Sequence, residues 1–107
     1  MTTFSEHPKI VFPAWLQVLG FTDCSYRNDC AARSMHEIPE LGLDLLCWIN
    51  YPDMNDREDP DNSVTYYVEL VLGGQAEPVK EIYSGDSSGN AHTAISRILR
   101  AVEELKQ

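Results

Sequence analysis

From Ala91 onward, apolar residues recur at helical spacing: Ala91, Ala94, Ile95, Ile98, Leu99, Val102 and Leu105. His92, Thr93, Ser96, Arg97, Arg100, Glu103, Glu104 and Lys106 take the other side. Steps of three and four put each set on its own side of a 3.6-residue helix. The spacing therefore predicts an amphipathic helix whose apolar stripe covers a sheet face. Ser87, Ser88 or Asn90 can cap its start by accepting a backbone N–H. A different period governs Leu43 to Tyr51. Leu43, Leu45, Cys47, Ile49 and Tyr51 alternate there with Asp44, Leu46, Trp48 and Asn50. Alternation at two predicts a strand with one wholly apolar face and one half-apolar face, as at the centre of a sheet.

The rest of the chain is read by the same two periods. Ser63 to Leu72 is a second long strand, with Val64, Tyr66, Val68, Leu70 and Leu72 on one face. Gly73-Gly74 signals a turn, and Gln75 to Tyr83 returns as a third strand. Pro78 has no N–H for a ladder, so this strand belongs at an edge or carries a bulge. Upstream, Trp15, Val18 and Leu19 stand at i, i+3 and i+4, which predicts a short helix over Pro13 to Leu19 closed by Gly20. Phe21 to Arg27 reads as a short strand. Asn28 to Glu40 has no clean period and reads as loop, with one irregular strand near Ser34 to Ile38. Residues 1–10 read as a frayed N-terminus. Residues 52–62, rich in Asp and Pro, read as a loop with Met54 its only core residue. The order predicts an α+β fold, a single domain over residues 1–107. It is an antiparallel meander of three to five strands, with a short N-terminal helix and a longer C-terminal amphipathic helix on one face. The second face, carrying Leu46, Trp48, Tyr67 and Val71, is expected to be partly open.

At 107 residues the chain has room for one core, and 43% hydrophobic content is enough to fill it. The longest apolar-rich run, Leu41 to Tyr51, carries Asp44 and falls short of the roughly 20 residues a bilayer needs. Residues 1–10 lack the apolar stretch of a secretory signal. Cys24, Cys30 and Cys47 are an odd number without framework spacing. Reduced thiols in a cytoplasmic protein are the expectation, with a Cys24–Cys30 disulfide as the alternative.

Charge changes the picture most. Seventeen acids face eight bases, a net charge of -9. Between Glu37 and Asp86 twelve acids meet only two bases, Arg57 and Lys80. The negative field thus belongs to the sheet and its loops. It argues against direct binding to nucleic acid or to anionic membrane, which need clustered Lys and Arg. It favours a basic partner, or simply solubility.

Sites of chemistry are sparse. Cys24, Cys30, His36 and Cys47 lack the paired two-to-four spacing of structural zinc ligands, and Cys47 faces the core by strand parity. Asp53, Asn55, Arg57 and Asp59 imitate the alternate oxygens of a calcium loop. That match fails at Arg57, at Glu58 in place of glycine and at Val64 in place of the closing glutamate. Cys30 with His36 and Glu37 is the one grouping that could act as nucleophile, base and orienting acid. The glycines form no phosphate loop. The helix–strands–helix order resembles the double-stranded-RNA-binding domain in topology, but the last helix opens without basic residues. No catalytic residue, metal or cofactor is expected.

The leading expectation is a small acidic, non-catalytic protein-binding module or inhibitor. It would dock on a basic, nucleic-acid-binding surface of a partner protein by imitating nucleic-acid charge. Nuclease-immunity proteins and phage or mobile-element inhibitors of CRISPR or restriction complexes share this profile. The expected contact residues are Asp53, Asp56, Glu58, Asp59 and Asp61 in the loop, with Trp48, Tyr67 and Glu69 as anchors. Two alternatives stand beside it. One is a small enzyme or ligand-binding domain using the Cys30–His36–Glu37 loop. The other is a homodimer that buries the open sheet face.

Overall fold

The computed structural model describes residues 2–26, 31–72, 78–85 and 91–105. A short helix α1 (Ala14–Val18) leads into five strands and a closing helix: β1 (Thr22–Asp23), β2 (Ala32–Ile38), β3 (Leu43–Ile49), β4 (Tyr66–Leu72), β5 (Pro78–Gly85) and α2 (Ala91–Leu105). The strands form one antiparallel sheet in the order β1-β2-β3-β4-β5. This is the predicted α+β meander.

Local chemistry sets the connections. Pro13 stands in extended conformation just before α1, and its carbonyl accepts from the N–H groups of Leu16 and Gln17. Gly20 follows α1 with φ +93°, and a Cβ there would lie 3.2 Å from His36 Nδ1. Both the backbone angle and the close approach require glycine. A 3-10 turn, Pro39–Leu41, joins β2 to β3 and ends on Gly42 at φ +66°. Register shifts at Val68/Glu69 and at Leu70/Val71 mark β5 as an irregular edge strand, as Pro78 requires.

The sheet has two unlike faces. On the first, Ala32, Ile38, Leu45, Cys47, Ile49, Val68 and Leu70 are buried together with Phe4, Ile10, Phe12, Leu16, Phe21 and Ile98. Helix α2 packs mainly along β5; its Ile98 belongs to the core, against which Val102, Ile82 and Tyr83 also pack. Leu99, expected on the buried stripe, is instead 54% exposed. Leu72 is exposed as well, at the far end of β4.

The N-terminal segment covers the other half of this face, which corrects the expectation of a frayed end. Thr3 and Val11 form an antiparallel bridge, and Phe4 N–H donates to the Ile10 carbonyl at 3.0 Å. Phe4 stacks on Phe12 with ring centroids 4.7 Å apart. His7, also buried, hydrogen-bonds the Tyr51 hydroxyl at 2.8 Å and the Tyr26 carbonyl at 3.0 Å. Few of these residues are close in sequence to the strands they cover, so no local period announces them.

Two further corrections concern β2 and the 52–62 loop. Strand β2 is regular and pairs with β3 over its whole length, from Ala32↔Ile49 to Ile38↔Leu43. In the loop, Met54 is exposed and Arg57 is the buried residue, at 6% exposure. Of the strand expected over Phe21 to Arg27, only Thr22–Asp23 pairs as a strand among the described residues, and Arg27 lies outside them. The Gly73-Gly74 turn and the proposed caps Ser87, Ser88 and Asn90 lie outside the described residues.

Candidate functional site

The acidic loop is built around Arg57. Its Nε donates to the Tyr51 carbonyl at 2.8 Å, one Nη to the Asn62 carbonyl, and the other Nη to Thr65 Oγ1 at 3.0 Å. One guanidinium thus ties the start, middle and end of the connection from β3 to β4. Short Asx turns complete it. Asp53 Oδ1 accepts from Asn55 N–H, Asp59 Oδ1 from Asp61 N–H, and Asn62 Oδ1 from Val64 N–H, each at 3.0 Å. Asn50 Nδ2 donates to the Val64 carbonyl at 2.8 Å across the loop's base.

The consequence is a separation of charge. Arg57 is the only base within residues 52–62, and it points inward. Asp53, Asp56, Glu58, Asp59 and Asp61 are all exposed. Among the described residues only Asp56 has a cation beside it, Lys9 Nζ at 4.0 Å, and both ends of that pair are well exposed. A pair of this kind is worth little in water.

Trp48, Tyr67 and Glu69 stand on the second face of the sheet, on adjacent strands. Trp48 and Tyr67 are Cα partners across β3 and β4, and Trp48 Nε1 donates to Glu69 Oε1 at 3.1 Å. Glu69 in turn is the partner of Glu81 on β5. Burial, reinforced by the carboxylates of Glu69 and Glu81, raises the Tyr67 hydroxyl above its ordinary pKa. On the other side of Trp48, the Arg33 guanidinium lies 5.4 Å from the indole and 4.9 Å from the ring of Tyr26, which is 62% exposed. Arg33 Nη2 also donates to the Cys24 carbonyl at 3.3 Å. Neither Arg33 nor Tyr26 was among the expected contact residues. The parity of Arg33 with Met35 and Glu37 on β2 would have placed it here, had β2 been read as regular.

The open second face is partly as expected. Both helices contribute to the cluster on the first face, and Trp48 and Tyr67 are half-buried. Leu46, Glu69 and Val71 are buried rather than open. The loop and this face do not merge into one patch through Asp56, which sits beside Lys9 of the N-terminal segment that packs on the first face.

The alternative grouping is not assembled by β2. His36 and Glu37 are consecutive on the strand, so their side chains start toward opposite faces. His36 Nδ1 contacts the Gly20 carbonyl at 3.3 Å and its ring lies 5.7 Å from Phe21, a packing role that ties the α1–β1 turn to β2. The two side chains do border one shallow depression of about 410 Å³, with Gly20, Thr22, Met35 and Pro39. Cys30 lies outside the described residues, as does the alternative Cys24–Cys30 disulfide. Cys47 is fully buried, and burial pushes its thiol up to about 12. The Ser34 hydroxyl opposite tempers that rise by its proximity, although its oxygen has no partner in hydrogen-bonding geometry among the described residues. Among the described residues no three metal-ligating side chains converge, and no helix is long and apolar enough to cross a membrane.

Compared with family models, curated proteins and solved structures, the chain matches none.

Proposed function

We propose that this chain is a small acidic, non-catalytic binding module that docks on the basic surface of a partner protein in the cytoplasm. The observation that carries this reading is the inward Arg57. It leaves five carboxylates facing outward on a loop whose backbone is already fixed by hydrogen bonds. A loop ordered before binding loses less conformational entropy on docking. Its unneutralised charge steers a basic partner and discriminates against acidic ones. Basic surfaces of this kind belong to nucleic-acid-binding proteins. The proposed role is therefore occlusion of such a surface, as an inhibitor of a CRISPR or restriction complex or as a nuclease-immunity protein would act.

The test is affinity capture from bacterial lysate by the tagged protein, washed at low and then high salt and read by mass spectrometry. The variant with Asp56→Lys, Glu58→Lys and Asp59→Lys runs beside it. A basic nucleic-acid-binding protein held at low salt, released at high salt and missed by the variant is the expected result. Capture that survives both high salt and charge reversal would sink the reading. Loss of capture in Cys30→Ala or His36→Ala would move the function to that loop instead.

A further inference from the structure

We infer that the second face of the sheet is the contact surface itself, and that it receives an arginine side chain of the basic partner. The inference rests on the docking reading above and assigns the acidic loop the role of steering. Four acids, Glu37, Asp44, Glu69 and, opposite Glu69 on β5, Glu81, share this face. Among the described residues Arg33 is the base that the strands place on it, and Arg97 of α2 borders the same shallow depression as Glu81. Two of the cross-strand pairs are acid on acid: Glu37 opposite Asp44, and Glu69 opposite Glu81. Like charges directly opposite one another destabilise a sheet. A cation brought in from outside relieves the second pair.

The side chains around Glu69 favour a guanidinium. Glu69 is 8% exposed, and Trp48 holds one of its oxygens, so the carboxylate is oriented before a ligand arrives. Among the described residues it has no ion-pair partner. Tyr67, two residues before it on β4, and Trp48, the partner of Tyr67 on β3, supply aromatic surface. Arg33 already places its guanidinium against Trp48 and Tyr26, so the chain itself displays the stacking that a second arginine would use. A planar guanidinium can stack and donate two parallel N–H bonds at once, which an ammonium cannot. Charge complementarity selects this occupant over a second copy of the chain, which would bring acid to acid, and over nucleic acid.

The test uses the full chain at low salt with hexa-arginine and hexa-lysine peptides, followed through the tryptophan indole N–H signals. Trp15, packed edge-on against Tyr66 on the first face, is the internal reference. Hexa-arginine should bind about tenfold tighter than hexa-lysine and move the Trp48 signal but not that of Trp15. Glu81→Gln, at an exposed position, and Glu69→Gln, which keeps an acceptor for Trp48, should each cut that preference to about twofold or less. The triple lysine reversal in the loop should weaken both peptides alike and leave their ratio intact. Equal affinity for the two peptides, a stationary Trp48 signal, or an unchanged preference in both glutamine variants would overturn the inference. If those results came with weakened binding in the loop variant, steering by the loop would survive alone. If the loop reversal weakened neither peptide while the glutamine variants lost the preference, the arginine site would stand and the loop reading would fall.

Discussion

Replacing Arg57 with alanine puts the organisation of the acidic loop to the test. The guanidinium makes three hydrogen bonds, to the carbonyls of Tyr51 and Asn62 and to Thr65 Oγ1, and is nearly excluded from water. A hydrogen bond from a charged donor contributes about 1.5–3 kcal/mol net. Three at the lower figure sum to roughly 4.5 kcal/mol. The loop is at the surface, so water re-solvates part of what is left behind. The expected loss is about 3 kcal/mol. A domain of this size has about 5–15 kcal/mol in total, so the change is large. It corresponds to a fall of roughly 12–24 °C in Tm. Arg57→Lys keeps the charge but not the fork, and should lose about half as much.

Urea and thermal unfolding measure the loss, and amide hydrogen exchange locates it. Exchange should accelerate from Asp53 to Asn62 before it does in β3 and β4. Partner affinity should fall with it, because a mobile loop must be ordered on binding. A stability loss under about 1 kcal/mol, or exchange unchanged in the loop, would refute the claim that this guanidinium holds the loop in place.

Three further outcomes follow from the same structure. Phe4→Ala removes a fully buried ring stacked on Phe12 and should cost about 3–5 kcal/mol by chemical denaturation; a loss below 1 kcal/mol would restore the frayed N-terminus. The Cys47 thiol, near 9 ordinarily and about 12 when folded, should resist thiol reagents in the native state at pH 8. Because its folded value is the higher one, its contribution is complete below pH 9 and is lost as pH rises toward 12, at a slope of up to about 1.4 kcal/mol per pH unit. Cys47→Ala should flatten that slope in unfolding curves measured from pH 8 to 11. Added salt should raise Tm, since it screens repulsion among the carboxylates, while it weakens capture of a basic partner; a Tm that falls with moderate NaCl would contradict the charge map.

What could be read from the sequence depended on whether burial left a local pattern. Strand β3 and helix α2 were legible because their apolar residues repeat at the period of their own backbone. Strand β2 was not. Its inward positions are Ala32, Ser34, His36 and Ile38, of which two are polar, and only pairing with β3 shows that they face the core. The N-terminal segment escaped for a related reason. Phe4, Ile10 and Phe12 stand apart among polar residues, and the hydrogen-bond partners of His7 lie 44 and 19 positions away. Trp48 and Tyr67 were picked out as aromatic anchors, but their pairing, and the reach of Trp48 to Glu69 across 21 residues, needed the register. Arg57 was legible only as a failed calcium ligand, since its partners are mostly backbone carbonyls, which every residue has.

That failed ligand position explains the loop better than the motif it resembled. A calcium loop turns its carboxylates inward on a cation that arrives from solution. Here the interior is occupied by a cation the chain supplies itself, and its partners are carbonyls and a hydroxyl rather than carboxylates. The aspartates are thereby left to cap turns with one oxygen while keeping their charge outward. Had Arg57 pointed to solvent, it would have neutralised one of its neighbours and left the loop's backbone unpinned. Turned inward it orders the backbone and leaves the acidic field intact, so one side chain accounts for both the rigidity and the charge on which docking depends.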